Sequence, residues 1–158
     1  MNAIRYRDGD LLKAPETVIG HGCNALGVMG AGVAKKIREV YPGAYQAYRD
    51  KFERDGLVLG EVIPWTGPNR VVLNCITQET YGNTPGTVYA DYTAIRDCMR
   101  RIEKAAKRHQ ANGAGALHEH REIAFPRIGA GFAGGDWDTI AAIIESEIQS
   151  LTVTVYTK

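Results

Sequence analysis

The chain has few cysteines, no long apolar run and almost no net charge. Three cysteines occur among 158 residues, at positions 23, 75 and 98. They are odd in number and show no C-x-x-C spacing, which speaks against a disulfide framework and fits a reducing compartment. Met1 is not followed by the apolar core of a signal peptide, and no apolar run reaches membrane-spanning length. A soluble, cytoplasmic protein with no membrane partner is expected. With 19 basic and 18 acidic residues the net charge is +1. That balance argues against a strong nucleic-acid footprint, which needs clustered positive charge. Internal repeats, low-complexity segments and linkers are also missing. At this length, residues 1–158 are expected to form a single domain around one core.

Glycine, by contrast, is concentrated in two places. The first is the run His21-Gly22-Cys23-Asn24-Ala25-Leu26-Gly27-Val28-Met29-Gly30-Ala31-Gly32-Val33-Ala34. It follows the apolar run Thr17-Val18-Ile19, which reads as a buried strand. It leads into Lys35-Lys36-Ile37-Arg38-Glu39-Val40-Tyr41, which reads as a helix. A strand, a glycine turn and a helix in that order aim unpaired backbone N–H groups and the positive end of the helix dipole at one spot, where an anion is the usual occupant. A tight turn without a ligand fits this stretch equally well. The second run, Ala124-Phe125-Pro126-Arg127-Ile128-Gly129-Ala130-Gly131-Phe132-Ala133-Gly134-Gly135-Asp136-Trp137, has the same strand-to-helix setting. Two such loops in one small chain suggest one ligand with two polar ends, or a diphosphate held from both sides.

The rest of the chain supplies the frame. Residues 3–7 alternate apolar and charged side chains, as an outer strand would. Asp10 comes just past that strand's end, where α/β sheets collect ligands; a plain turn or cap residue is the alternative. A helix from Gly32 ends at Pro42-Gly43, and a second spans 44–54. Its stripe Tyr45, Tyr48 and Phe52 reads as core packing. Residues 61–65 and 70–76 read as a strand pair joined by the turn 66–69. Residues 77–89 form a long polar loop, either one wall of a site or a solvated connection. A long helix is expected over 90–110, with Arg100, Arg101, Lys104, Lys107 and Arg108 on its solvated face. The pair His118 and His120 has no third ligand at metal-site spacing, so no metal is expected. Asp136 and Asp138 open the last helix as caps, and 152–156 is a final strand. Strands interleaved with helices imply a three-layer α/β/α domain with a mixed, largely parallel central sheet.

These residues together resemble a macrodomain, the ADP-ribose-binding α/β/α fold. The resemblance spans nearly the whole chain and is carried by Gly9-Asp10-Leu11, the M-G-A-G-V-A run at 29–34 and the P-R-I-G-A-G-x-x-G-G-D-W run at 126–137. It is similar to the branch holding the terminal ADP-ribose glycohydrolases, the DNA-ADP-ribose-removing antitoxins and the yeast-type ADP-ribose-1''-phosphate phosphatases, and to its compact phage-encoded members. The resemblance implies that Asp10 and Leu11 receive adenine. Cys23, Asn24, Met29, Gly30, Ala31, Gly32 and Val33 would line the distal ribose and one side of the diphosphate. Ile128, Gly129, Ala130, Gly131, Phe132, Ala133 and Gly134 would wrap its other side. His21 and Asp136, with Asn24 as a further candidate, are the catalytic residues it suggests. Two departures matter. Gln78 stands where deribosylating members carry a nucleophilic lysine, and Ala133 where the glycohydrolases place an aspartate. Gln has no free amine to attack a sugar carbon. The expected function is therefore hydrolysis of ADP-ribose-1''-phosphate by a monomer without a cofactor. An ADP-ribosyl or O-acyl-ADP-ribose hydrolase and a non-catalytic ADP-ribose reader are the alternatives. Nucleic acid is an expected partner only if ADP-ribosylated.

Overall fold

The central strands are apolar on both faces, so both faces must be covered. In the computed structural model, which describes residues 2–82, 84–107, 117 and 119–158, helices cover each of them. The elements run β1 (Arg5–Arg7), β2 (Val18–Asn24), α1 (Gly32–Val40), α2 (Pro42–Asp55), β3 (Val62–Thr66), β4 (Val71–Gln78), α3 (Tyr92–Lys107), β5 (Glu122–Phe125), α4 (Trp137–Glu147) and β6 (Thr152–Tyr156). Among the described residues, six strands form one sheet in the order β1-β6-β5-β2-β4-β3. Neighbours are parallel except for the antiparallel pair β3 and β4. The mixed, largely parallel α/β/α architecture expected from the sequence is therefore present. No helix among the described residues is long and apolar enough to cross a membrane.

Side-chain alternation sorts the core into its two layers. Val18, Leu73, Phe125 and Val153 pack against Ile95, Met99, Ile140 and Ile144 of α3 and α4. Their chain neighbours Ile19, Val72 and Ala124 pack on the other face with Ile37 of α1 and Ala44 of α2. At the β2 end of that second face, Cys23, Ile76, Met29 and Tyr48 form a further cluster.

Two helix boundaries differ from the sequence reading. α2 begins at Pro42 rather than Ala44, because proline at the first helical position has its φ preset and lacks an N–H that would go unused there. Tyr41 thus ends α1 and starts α2. α3 begins at Tyr92, and its end is described only to Lys107. The expected break at 112–115 and His118 of the histidine pair lie outside the described residues.

The topology places a crevice. Adjacent parallel strands β2 and β5 lead into helices on opposite faces, α1 and α4. The loops leaving their carboxyl ends must diverge there, and such switch points are where open α/β sheets bind ligands. β2 itself depends on glycine. A Cβ on Gly20 would lie 2.5 Å from the Phe125 ring, so the bare backbone is what admits that ring to the core. Gly20→Ala should cost about 1–3 kcal/mol through overpacking. Denaturant unfolding should show the loss, and Phe125→Leu in the same chain should recover part of it.

Candidate functional site

The first glycine loop, residues 25–31, is shaped by the end of β2. Asn24 is buried, and its side chain holds the turn through Oδ1 and one hydrogen of Nδ2. Its Oδ1 accepts from Leu26 N (2.9 Å), from Val28 N (3.4 Å) and from the Tyr48 hydroxyl (2.9 Å), while its Nδ2 donates to Val28 O (2.8 Å). The single hydrogen of the Tyr48 hydroxyl is shared between that Oδ1 and Asn24 O, 2.7 Å away. From below, Arg49 Nη1 donates to Gly27 O at 3.0 Å. Gly27 has φ +78°, and a Cβ there would strike Phe52. The α2 stripe is thus core, as expected, and also the seat of the loop.

That seat leaves the outer amides free. The amides of Met29, Gly30 and Ala31 donate to no acceptor among the described residues. α1 then starts at Gly32 behind Ala31, which has no side-chain acceptor to cap it, and its first turn holds no acidic residue. An uncapped helix start next to free loop amides attracts an anion through unpaired N–H groups and the helix dipole together.

The second loop, residues 126–136, is folded on itself by Ala130 N to Arg127 O (3.0 Å), Gly134 N to Gly131 O (3.0 Å) and Gly135 N to Gly129 O (2.8 Å). The amides of Gly131, Phe132 and Ala133 have no acceptor among the described residues. A Cβ on Gly131 would meet nothing within 4 Å, so this position faces open space. Phe132 is 64% exposed. Its ring stands against the first loop, 3.7 Å from where a Cβ on Gly32 would be. The two sets of free amides therefore border one crevice. The long loop after β4 docks on the outer side of the second one, with Tyr89 N and Ala90 N both donating to Ala133 O at 2.7 and 3.1 Å.

Other expected site residues divide by burial. Gly30, Ala31, Gly32, Gly131 and Gly134 are exposed, and Val33, Gly129 and Ala130 are partly so. Leu11, Cys23, Met29, Ile128 and Ala133 turn their side chains into the core and can offer a ligand only backbone. Asp10, half-buried, accepts from Leu12 N through Oδ1 at 3.0 Å and opens a single 3-10 turn, Leu11–Lys13. Gln78 ends β4 and donates to Thr80 O at 2.8 Å. Asp136 is the α4 cap: its Oδ2 accepts from Thr139 N (2.9 Å) and Thr139 Oγ1 (2.7 Å), which hold its carboxyl below the usual range. Its own amide donates to the Tyr92 hydroxyl at 2.9 Å.

His21 differs most from expectation. It shares a strand face with Ile19 and Cys23, inside the layer under α1 and α2, and is 1% exposed. Its Nε2 lies 2.7 Å from Asn74 Oδ1. Asn74 uses its Nδ2 hydrogens on Ala44 O and Ile63 O, both at 3.1 Å, so Oδ1 must accept and His21 must donate. Donation from Nε2 fits both charge states; burial selects the neutral one, which leaves Nδ1 without a hydrogen, 3.9 Å from Cys23 Sγ. Burial pushes its pKa down to about 4, against the smaller upward pull of Asn74. It is walled off from the crevice and bridges β2 to β4, and through Asn74 to α2 and β3.

The crevice geometry agrees with family membership: the Macro domain profile matches residues 21–144. The chain belongs to the Macro domain family. Among relatives of this macrodomain, the ADP-ribose 1''-phosphate phosphatase of Candida glabrata is 29% identical over 178 residues, covering 99% of both chains. The DNA ADP-ribosyl glycohydrolase of Thermus aquaticus is 28% identical over 152 residues. That match takes in 94% of the macrodomain, which spans 38% of the length of the Thermus protein. An uncharacterized 17.5 kDa protein of Enterobacteria phage T4 is 28% identical over 161 residues, with 96% and 94% of the two chains covered. The macrodomain of Thermus aquaticus DarG superposes with a TM-score of 0.75 at 25% identity, over 97% of both chains.

Of three residues that shape the site, the sequence shows Tyr48 only as core and does not single out Asn74 or Arg70. Asn74 carries a signal, being the one polar residue inside the apolar run Val71–Ile76. Tyr48 and Arg70 carry none, because their partners lie 24 or more positions away.

The buried imidazole makes stability depend on pH. Its folded pKa, about 4, lies below the unfolded 6.5. The neutral form is the one the fold prefers, so this contribution is complete above pH 6.5 and is lost as pH falls toward 4. The loss is on the order of 3 kcal/mol by the usual conversion of a pKa shift. Unfolding followed by circular dichroism across this range should show it. His21→Gln, which still donates to Asn74 and cannot protonate, should flatten the curve.

Proposed function

We propose that the crevice binds ADP-ribose and that the protein hydrolyses a derivative of it at the distal ribose, with ADP-ribose-1''-phosphate as the substrate. The observation that carries this is the pair of facing loops whose outward amides are free. A diphosphate is the anion whose two charged centres match two such loops. The names of the relatives from Candida glabrata and Thermus aquaticus support the same ligand class. In this reading Asp10 and Leu11 take the adenine, 29–33 and 128–134 the diphosphate and distal ribose, and the protein acts as a cytoplasmic monomer. Three buried free cysteines agree with a reducing compartment.

Hydrolysis of a phosphate monoester needs charge relief at the phosphoryl oxygens, a placed water and a proton for the leaving oxygen. Preorganised amides supply the first. Of the three side chains first considered for the rest, His21 is withdrawn, since an enclosed neutral imidazole reaches neither water nor substrate. Asn24 spends its Oδ1 and one Nδ2 hydrogen on the first loop; its second Nδ2 hydrogen has no partner among the described residues and could hold a ligand oxygen, but a carboxamide moves no proton. Asp136, ionised at the surface, is retained: it orients the attacking water, takes a proton from it and passes that proton, directly or through solvent, to the leaving ribose oxygen. Covalent deribosylation is disfavoured: no lysine occurs between Lys51 and Lys104, so a shift in placing Gln78 would not restore the amine. The enclosure of His21 favours a second reading, a macrodomain that binds ADP-ribose and turns nothing over.

Calorimetric titration should show ADP-ribose binding and much weaker AMP binding. Gly131→Glu should abolish it with the fold intact, because the added side chain enters open space and its charge repels the diphosphate. Incubation with ADP-ribose-1''-phosphate should release phosphate, while O-acetyl-ADP-ribose and ADP-ribosylated protein and DNA should turn over little. Asp136→Asn keeps a good helix cap and should slow turnover roughly a hundredfold with binding unchanged. Binding without turnover of any substrate would establish the second reading, and no binding would refute both.

A further inference from the structure

We infer that Arg70, the residue just before β4, is the positioning residue that gives the crevice its selectivity for adenine. The inference rests on the proposed placement of adenine at Asp10. Residues 10–16 have little regular structure of their own. Their internal bonds are Lys13 N to Asp10 O and Ala14 N to Leu11 O, both 3.0 Å, besides the Asp10 side chain on Leu12 N. Three carbonyls of this segment are instead held by one guanidinium. Arg70 Nη2 donates to Leu12 O at 3.1 Å, and Nη1 donates to Ala14 O at 3.0 Å and also to Glu16 O. Its Nε donates to the Tyr41 hydroxyl at 2.9 Å, and its plane lies 5.8 Å from the Tyr41 ring centre. The fork is therefore fixed on one side by α1's end and spends its other donors on the segment.

Leu12 is the link. Its carbonyl is held by Arg70, and its amide holds Asp10 Oδ1. Moving Leu12 moves the carboxylate. Asp10 Oδ2 has no hydrogen bond among the described residues and is the atom left for a ligand donor. An ionised carboxylate there accepts from the exocyclic amine of adenine and repels the carbonyl that hypoxanthine carries at the same position. Base selectivity then depends on how firmly the carboxylate is held, and that is set through Leu12 by a residue 58 positions from it in sequence. A lysine cannot replace the clamp, because an ammonium is a compact charge and cannot span the three carbonyls that the two Nη atoms of the planar fork reach.

The test is a ratio. Dissociation constants are measured for ADP-ribose and for its hypoxanthine counterpart with wild type, Arg70→Met and Arg70→Lys. Wild type should prefer ADP-ribose by roughly tenfold or more, the worth of one charge-assisted hydrogen bond. Both variants should lose most of that preference, chiefly by weaker ADP-ribose binding. In an Asp10→Ala chain, where the preference is already gone, Arg70→Lys should change the ratio no further. Arg70→Lys keeps the cation and stem and reads out the inference if Arg70→Met does not fold. Equal weakening of both ligands with the ratio unmoved would make Arg70 a fold residue only and overturn the inference. No preference in wild type would overturn it as well, by removing Asp10 from the base. No binding of ADP-ribose by wild type would instead refute the proposed function on which it stands.

Discussion

The arrangement of the crevice depends on one buried amide. Asn24 collects two loop amides and a tyrosine hydroxyl on one oxygen and returns its own N–H to the loop. Each bond is modest in net terms, yet leaving any of these buried groups unpaired would cost more than the bond contributes. The turn after β2 is consequently held in one shape before any ligand arrives. Its outer amides stay unpaired because the inner ones are satisfied by a side chain rather than by each other. α2 exists, in functional terms, to present Tyr48 and Arg49 to that turn.

Much of this was legible from the chain alone. Strand identity, the edge position of β1, the β3–β4 hairpin and both glycine loops follow from period-two runs and breakers that act locally. α2's start was missed by two residues because proline stops one helix and opens another, and the sequence shows only the first of these. His21 is the more instructive case. Its spacing with Ile19 and Cys23 already puts it on an apolar face, but periodicity does not say which layer covers that face. The covering helices, and the lone polar residue Asn74 across the strand pair, decide that the ring is a bridge inside the core. The role of Asn24 beneath the first loop was hidden for a related reason: its partner Tyr48 lies on another helix, beyond the reach of any local pattern.

In the proposed reading the residues around the crevice divide the work in an unequal way. Backbone would do most of it, which fits the number of expected contacts that come from residues whose side chains face inward. Met29 and Ile128 anchor their loops in the core and lend only the peptide between anchor and crevice. Such a site is intolerant of change beneath the loops, and at the rim of any side chain that fills or charges the space the ligand needs. Asp136 is the exception, a surface carboxylate whose first duty is to α4 and whose charge is kept by the same bonds that make it a cap.

The bare start of α1 has a consequence for the protein at rest. A helix that supplies its own cap is complete when the chain has folded, whereas α1 leaves that place to whatever enters the crevice. An occupant that bonds to those amides becomes, for as long as it stays, part of the secondary structure. A side-chain cap contributes typically ~1 kcal/mol, so the unoccupied protein forgoes a comparable amount at this one turn. The first turn of α1 should then open more readily than the rest of the helix, and occupancy should tighten it without altering the fold. Recognition and local order at this position are a single event.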